Sequence, residues 1–295
     1  MRTARTELLE IAYLDEGPAD GAPVLLLHGW PDDVRTWRGV LPRLHATGRR
    51  TIVPYLRGFG ATRFHSDATF RDGRGVALTQ DAVDLLDVLR IERFAVVGHD
   101  WGARSAYQLA ALFPERVTHV AALSVAFQPG GVFPVPSFAQ SRLYWYQLFM
   151  SLEGGAQAVR DDPIGFARIQ WETWSPPGWF DDAEFAATAR SFENPDWLAI
   201  TLNSYRSRWR EEPHDARYDA ASARLAAVRT LATPTVVIQG GDDRCVAPET
   251  TDGCGEHFTG PYRRIVLEGI GHFPAREAPD ATATAIVKHV VGEEQ

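Results

Sequence analysis

Phe94-Ala95-Val96-Val97-Gly98-His99-Asp100-Trp101-Gly102 is the stretch that decides the reading of this chain. Phe94 to Val97 is a short, continuous apolar run, the pattern of a strand buried on both faces. Ala103 to Phe113 follows with apolar residues at helical spacing and is stopped by Pro114. Between them stands Gly-x-Asp-x-Gly. A sharp strand-to-helix turn of this kind presents its central side chain above the sheet, and its two glycines relieve crowding where helix packs back onto strand. Asp100 is therefore either a candidate nucleophile or simply the N-cap of the helix. The rest of the chain decides between the two.

Outward from this turn the same rhythm repeats. Leu9, Ile11 and Tyr13 read as a strand of an antiparallel edge pair. Val24 to Leu27, Thr51 to Val53, His119 to Val125, Thr235 to Ile238 and Arg264 to Leu267 read as further strands. Leu78–Leu89, Leu225–Thr230 and Ala278–Val291 read as helices. Strands alternating with helices predict an α/β fold with a mostly parallel central sheet covered on both faces. The rhythm stops between about Pro129 and His214, a segment with six tryptophans (Trp145, Trp171, Trp174, Trp179, Trp197, Trp209) and no buried strand run. The expected organisation is a core over residues 1–128, an inserted helical cap over 129–214 and the second part of the core over 215–295.

Composition narrows the function. The 295 residues are 45% hydrophobic and 23% charged, which suits a soluble chain with a large core. A net charge of -8 argues against nucleic acid or an anionic membrane as partner. Met1 to Gly17 lacks the apolar stretch of a signal peptide, and no run approaches a membrane span. Cys245 and Cys254 form neither a disulfide framework nor a metal-ligand spacing. One loop bridge or two reduced thiols both fit, and the second reading, preferred here, goes with a cytoplasmic protein. The expectation is a small-molecule substrate, apolar to judge by the aromatic segment, and no metal or organic cofactor.

Two residues beyond strand ends complete a set with Asp100. Asp243 follows Thr235–Ile238 and His272 follows Arg264–Leu267, so both belong to the crevice at the carboxyl ends of a parallel sheet, where sites form. The order nucleophile, acid, histidine is that of one hydrolase architecture. Asp243, three residues after Gly240, is preferred to its neighbour Asp242, which reads as a solvated loop residue. His28-Gly29-Trp30-Pro31 follows another strand. The backbone N–H groups of Trp30 and Trp101 are the expected oxyanion hole, and His28 is expected to brace the loop.

With these motifs in place, the chain resembles the α/β-hydrolase superfamily over essentially its whole length, and within it the epoxide hydrolase branch. His28-Gly29-Trp30-Pro31 is similar to that branch's His-Gly-x-Pro, and Asp100-Trp101 to its nucleophile followed by tryptophan. Tyr146-Gln147 resembles the Tyr-Gln pair early in the cap, and Asn203-Ser204-Tyr205-Arg206 the Asn-x-Tyr-Arg pattern late in it. The resemblance implies Asp100, Asp243 and His272 as the catalytic triad, Tyr146 and Tyr205 as proton donors, and Gln147 and Arg104 as substrate-binding groups. Two features depart from it or compete with it. Tyr55-Leu56-Arg57-Gly58 stands where the family reads Asp-x-Arg-Gly, and Tyr144 is an alternative donor to Tyr146, since two residues apart on a helix they point to different faces and only one can enter the pocket.

Three functions compete. An aspartate is ionised at neutral pH and attacks saturated carbon without a base, forming an ester that can be hydrolysed. That suits epoxide opening, and it also suits a dehalogenase. Haloacid-type relatives resemble this fold but carry arginine directly after the nucleophile and three residues later; here the first is Trp101 and only Arg104 matches. The third reading is a ligand-binding protein that kept the fold without turnover. A serine esterase is disfavoured because Ser105 lies one turn into the helix.

Overall fold

A computed structural model describes residues 1–292. Among the described residues the apolar runs form nine strands: β1 (Arg2–Arg5), β2 (Leu9–Glu16), β3 (Pro23–Leu27), β4 (Arg50–Pro54), β5 (Arg63–Phe64), β6 (Phe94–His99), β7 (Val117–Leu123), β8 (Thr235–Gly240) and β9 (Tyr262–Leu267). They make one sheet in the order β1-β2-β4-β3-β6-β7-β8-β9, with β5 paired to β2. The pairs from β4 to β9 are parallel. The β1 and β2 pairs are antiparallel, so the edge pair expected around Leu9–Tyr13 is present. Its partner β1 escapes a hydrophobicity reading because only Ala4 of its four residues is buried.

Helices α1 (Leu41–Ala46), α2 (Gly75–Val88) and α3 (Trp101–Leu112) connect the first half of the sheet. Six helices follow β7 in succession: α4 (Phe138–Leu143), α5 (Trp145–Ser151), α6 (Glu153–Asp161), α7 (Pro163–Thr173), α8 (Asp182–Ala189) and α9 (Trp197–Arg206). They are followed by α10 (Asp219–Ala227), α11 (Pro274–Glu277) and α12 (Pro279–Val291). The helix expected at Leu225–Thr230 lies earlier. Leu225 is its only buried residue, so the turns before it carry no apolar stripe, and Val228 is already extended at ψ 124°. The Val228 carbonyl instead accepts from the Gly130 N–H at 2.7 Å.

The turn after β6 has the strain its glycines imply. Asp100 has φ 48° and ψ -110°, a region that costs a non-glycine residue about 1–3 kcal/mol. A Cβ on Gly102 would stand 2.1 Å from the Leu27 carbonyl oxygen of β3, and one on Gly98 would stand 2.2 Å from the Gly102 oxygen. Only bare backbone allows α3 to close onto β3 and β6 in this way. The Asp100 side chain makes no capping hydrogen bond, which removes the N-cap reading.

Polar ties hold the helical insertion to the sheet. The Trp171 indole donates to the Pro31 carbonyl at 2.8 Å, and the Trp30 indole to Thr201 Oγ1 at 3.1 Å. Arg276 bridges Asp32 below and Glu184 of α8 above, at 2.6 and 2.7 Å. No helix among the described residues is long and apolar enough to cross a membrane. Replacing Gly102 with alanine should destabilise the fold by about 1–3 kcal/mol or more through backbone overpacking. Urea denaturation measures this, and a change below about 0.5 kcal/mol would mean that the α3–β3 contact is not limiting.

Candidate active site

The carboxyl ends of four parallel strands converge. β3 leads to His28–Trp30, β6 to Asp100, β8 to Asp243 and β9 to His272. Asp100, Asp243 and His272 are all buried. His272 Nδ1 donates to Asp243 Oδ2 at 2.8 Å, which leaves Nε2 without a protein partner, 3.9 Å from Asp100 Oδ2. That gap is too long for a hydrogen bond. It suits a base that acts on a third molecule.

Asp243 is held acceptor-side by its own loop. Its Oδ1 takes the Cys245 and Val246 N–H groups at 2.8 Å each, and Oδ2 also takes Gln239 Nε2 at 3.1 Å. Asp242, by contrast, is exposed. Burial disfavours the His272 cation, but the Asp243 carboxylate, with Cys245 beside it, outweighs burial and holds the imidazole pKa well above its ordinary 6.5. Further contacts fix the His272 backbone. Its carbonyl accepts from His99 Nε2 at 2.7 Å and Ser124 Oγ at 2.9 Å, and its N–H donates to Ser175 Oγ at 2.9 Å.

On the opposite side the Trp30 N–H donates to Asp100 Oδ1 at 3.0 Å, the bond an oxyanion hole needs. Trp101 opens α3 directly after Asp100, so its N–H belongs to the free first turn of that helix. His28 braces this loop. Leu56 N–H donates to its Nε2 at 3.1 Å and its Nδ1 bonds the Gly29 carbonyl at 2.9 Å, while burial keeps the ring neutral. Despite the altered loop sequence, Arg57 is fully engaged. It grips Asp81 through two bonds of 2.6 Å and reaches Tyr218 Oη at 2.9 Å.

Tyr146 and Tyr205 come from α5 and α9 and both pack on the Trp30 ring, with centroids at 5.7 and 5.0 Å; they stand 5.3 Å from each other. Tyr146 Oη accepts from Gln147 Nε2 at 2.9 Å, and Tyr205 Oη from the Trp101 indole at 3.2 Å. Burial raises both phenols well above their ordinary pKa of 10. Tyr144 lies elsewhere, lining a cavity of about 830 Å³ with Gln140, Phe133 and Val246, and its hydroxyl is pushed up to about 12 by burial. Gln147 lines neither this cavity nor the smaller one beside Trp101. Its amide is committed to Tyr146 and, at 3.4 Å, to Arg208. Arg104 has no carboxylate within 4 Å among the described residues; its guanidinium lies 4.3 Å from the Phe133 centroid.

Several contributors lie outside the residues singled out from the sequence. Gln239, Ser175 and His99 steady the triad, and Cys245 Sγ lies 3.5 Å from Tyr146 Oη. His99 could have been found as the x of Gly-x-Asp, and Cys245 by its place two residues after Asp243. Ser175 carries no sequence signal, because the fold alone brings it to His272.

A strained aspartate, an Asp-held histidine and an amide at the aspartate's oxygen define a hydrolase-type site on an α/β sheet. The chain matches the alpha/beta hydrolase fold family over residues 22–279 and belongs to it. It is 29% identical over 313 aligned residues to Epoxide hydrolase A of Mycobacterium tuberculosis, covering 95% of this chain and 94% of that one. In structure it is similar to a candidate epoxide hydrolase of Klebsiella pneumoniae, with a TM-score of 0.90 and 38% identity over 98% of this chain and 97% of that one. A haloalkane dehalogenase of Psychrobacter cryohalolentis is 41% identical over 117 residues, 39% of this chain and 37% of the other. The full-length similarity thus lies with the epoxide hydrolase branch, as the motifs implied.

The Asp243–His272 pair makes a direct prediction. In an NMR titration the His272 ring should titrate above 6.5, and Asp243→Asn should move its midpoint down, because loss of the carboxylate leaves burial as the dominant influence. A wild-type midpoint at or below 6.5 would contradict the coupling.

Proposed function

We propose that this protein is an epoxide hydrolase that opens its substrate to a vicinal diol through an ester on Asp100. Asp100 attacks one ring carbon as the bond from that carbon to the ring oxygen breaks, and the oxygen takes a proton from Tyr146 or Tyr205. His272 in its neutral form, oriented by Asp243, then takes a proton from water. The hydroxide attacks the Asp100 carboxyl carbon, with the Trp30 and Trp101 N–H groups stabilising the oxyanion. Collapse releases the diol, whose oxygen takes the proton from His272, while the proton of the regenerated Asp100 acid returns to the tyrosinate. No metal or organic cofactor enters this sequence.

The observation that carries this reading is the hydrogen-bond state of the two phenols. Each hydroxyl already accepts an N–H, Tyr146 from Gln147 and Tyr205 from Trp101, and neither phenol proton goes to a protein oxygen or nitrogen, Tyr146 facing only the weak acceptor Cys245 Sγ at 3.5 Å. Burial keeps both protonated throughout the neutral range. A departing halide needs no such proton, which favours an epoxide over a haloalkane. The aromatic walls favour a substrate with an apolar body, and two unpaired thiols go with a cytoplasmic setting.

A His272→Gln variant should accumulate one substrate equivalent on Asp100, seen by intact and peptide mass spectrometry with styrene oxide. An unmodified Asp100, across a panel of epoxides that wild type consumes, would contradict the ester. Tyr146→Phe and Tyr205→Phe should each slow formation of that ester by about 10²-fold or more, whereas Tyr144→Phe should change it only a few-fold. Stopped-flow tryptophan fluorescence follows this step, and an equal effect at Tyr144 would reassign the donor. Rapid halide release from haloalkanes with no diol from epoxides would instead favour the dehalogenase.

A further inference from the structure

Two arginines inside this acidic protein are left without an anion. Other arginines packed into the fold are matched: Arg57 grips Asp81, and Arg276 grips Asp32. The Arg104 side chain on α3 makes no hydrogen bond among the described residues, and its Nε and Nη1 are shielded from solvent with no partner. Arg208, just past α9, has a single long bond, 3.4 Å to Gln147 Oε1. Neither has a carboxylate within 4 Å among the described residues. Their guanidinium carbons lie 4.3 and 4.5 Å from the centroid of the same ring, Phe133, so both charges flank that ring.

That ring borders a cavity of about 340 Å³ lined by Arg104, Arg208, Trp101, Ser204, Ser207 and Gln128, among others. Arg74 adds a third guanidinium to its wall, already tied to Asp72, and no acidic side chain lines it. Unpaired charge with shielded donors is costly unless an anion balances it. Burial lowers the Arg208 pKa, and Arg104 lowers it further, an effect that a bound anion would reverse.

The cavity adjoins the reacting centre. Trp101 is the residue after Asp100 and lines the cavity, and its indole holds Tyr205 Oη. Arg208 stacks over the Tyr205 ring at 4.3 Å. Arg208 thus touches the ring of a tyrosine proposed to donate to the epoxide, and Arg104 shares its cavity wall.

We infer that Arg104 and Arg208 bind the carboxylate of an acidic substrate, so that the enzyme's preferred epoxide carries an acid group on the body attached to its oxirane. This specificity rests on the epoxide-opening reading of Asp100. A guanidinium–carboxylate pair is directional and strong where water is excluded. The apolar walls hold the body of such a substrate, and the arginines fix which end enters.

The test compares 4-carboxystyrene oxide with 4-methylstyrene oxide. Wild type should prefer the acid in kcat/KM by roughly tenfold or more, as one charged hydrogen bond provides. Arg104→Gln and Arg208→Gln should each collapse that preference roughly tenfold, mainly through KM for the acid, and Arg→Lys at either position should restore part of it. Equal losses on both substrates, or no preference in wild type, would overturn the inference. A second measurement needs no turnover. Calorimetric titration with 4-methylbenzoate should show binding that both Gln variants weaken about tenfold or more, while binding of 4-methylbenzyl alcohol is affected less. Arginine-dependent benzoate binding in a protein that opens no epoxide would sink the activity reading and leave the anion site standing. Turnover of both epoxides with arginine-independent benzoate binding would do the reverse.

Discussion

The whole site depends on a close backbone approach. α3 can lie against β3 only because Gly102 has no side chain, and this contact forces the turn that holds Asp100 at a positive φ. The strain aims the carboxylate out of the sheet and toward the loop after β3, where the Trp30 amide meets it. A capped, relaxed helix start would have turned the same carboxylate back onto its own backbone. The local cost of the strained turn is carried by a core whose strands are covered on both faces.

A second constraint is burial. The helical insertion closes over Asp100 with Tyr146, Tyr205, Trp174 and Trp197 around Trp30. In such surroundings a phenol keeps its proton while an Asp-paired imidazole gains one. Burial alone raises the phenol pKa values, whereas at His272 burial opposes the charge and the Asp243 carboxylate outweighs it. The tyrosines stay protonated across the neutral range, and the His272 ring loses its proton as pH rises through its elevated pKa.

How much of this could be read from the chain differs by residue. Asp100, Asp243 and His272 were legible because each follows a buried strand run, and a turn chemistry or a chain order marks it. Tyr146 and Tyr205 were legible only through family resemblance, since a tyrosine on a helix carries no local sign of its partner. Ser175, Gln239 and Arg208 were not legible, because their contacts depend on how the insertion seats on the sheet. The sheet's parallel strands were clear from apolar runs, whereas β1 and the start of α10 were not, since each buries a single side chain.

The central claim is that Asp100, not water, makes the bond to substrate carbon. A single turnover in H2¹⁸O with enzyme in excess over epoxide tests it directly. The account predicts that the diol leaves with unlabelled oxygen from Asp100 and that the label is found in the Asp100 peptide. Labelled diol in the first turnover, with no label in that peptide, would contradict it.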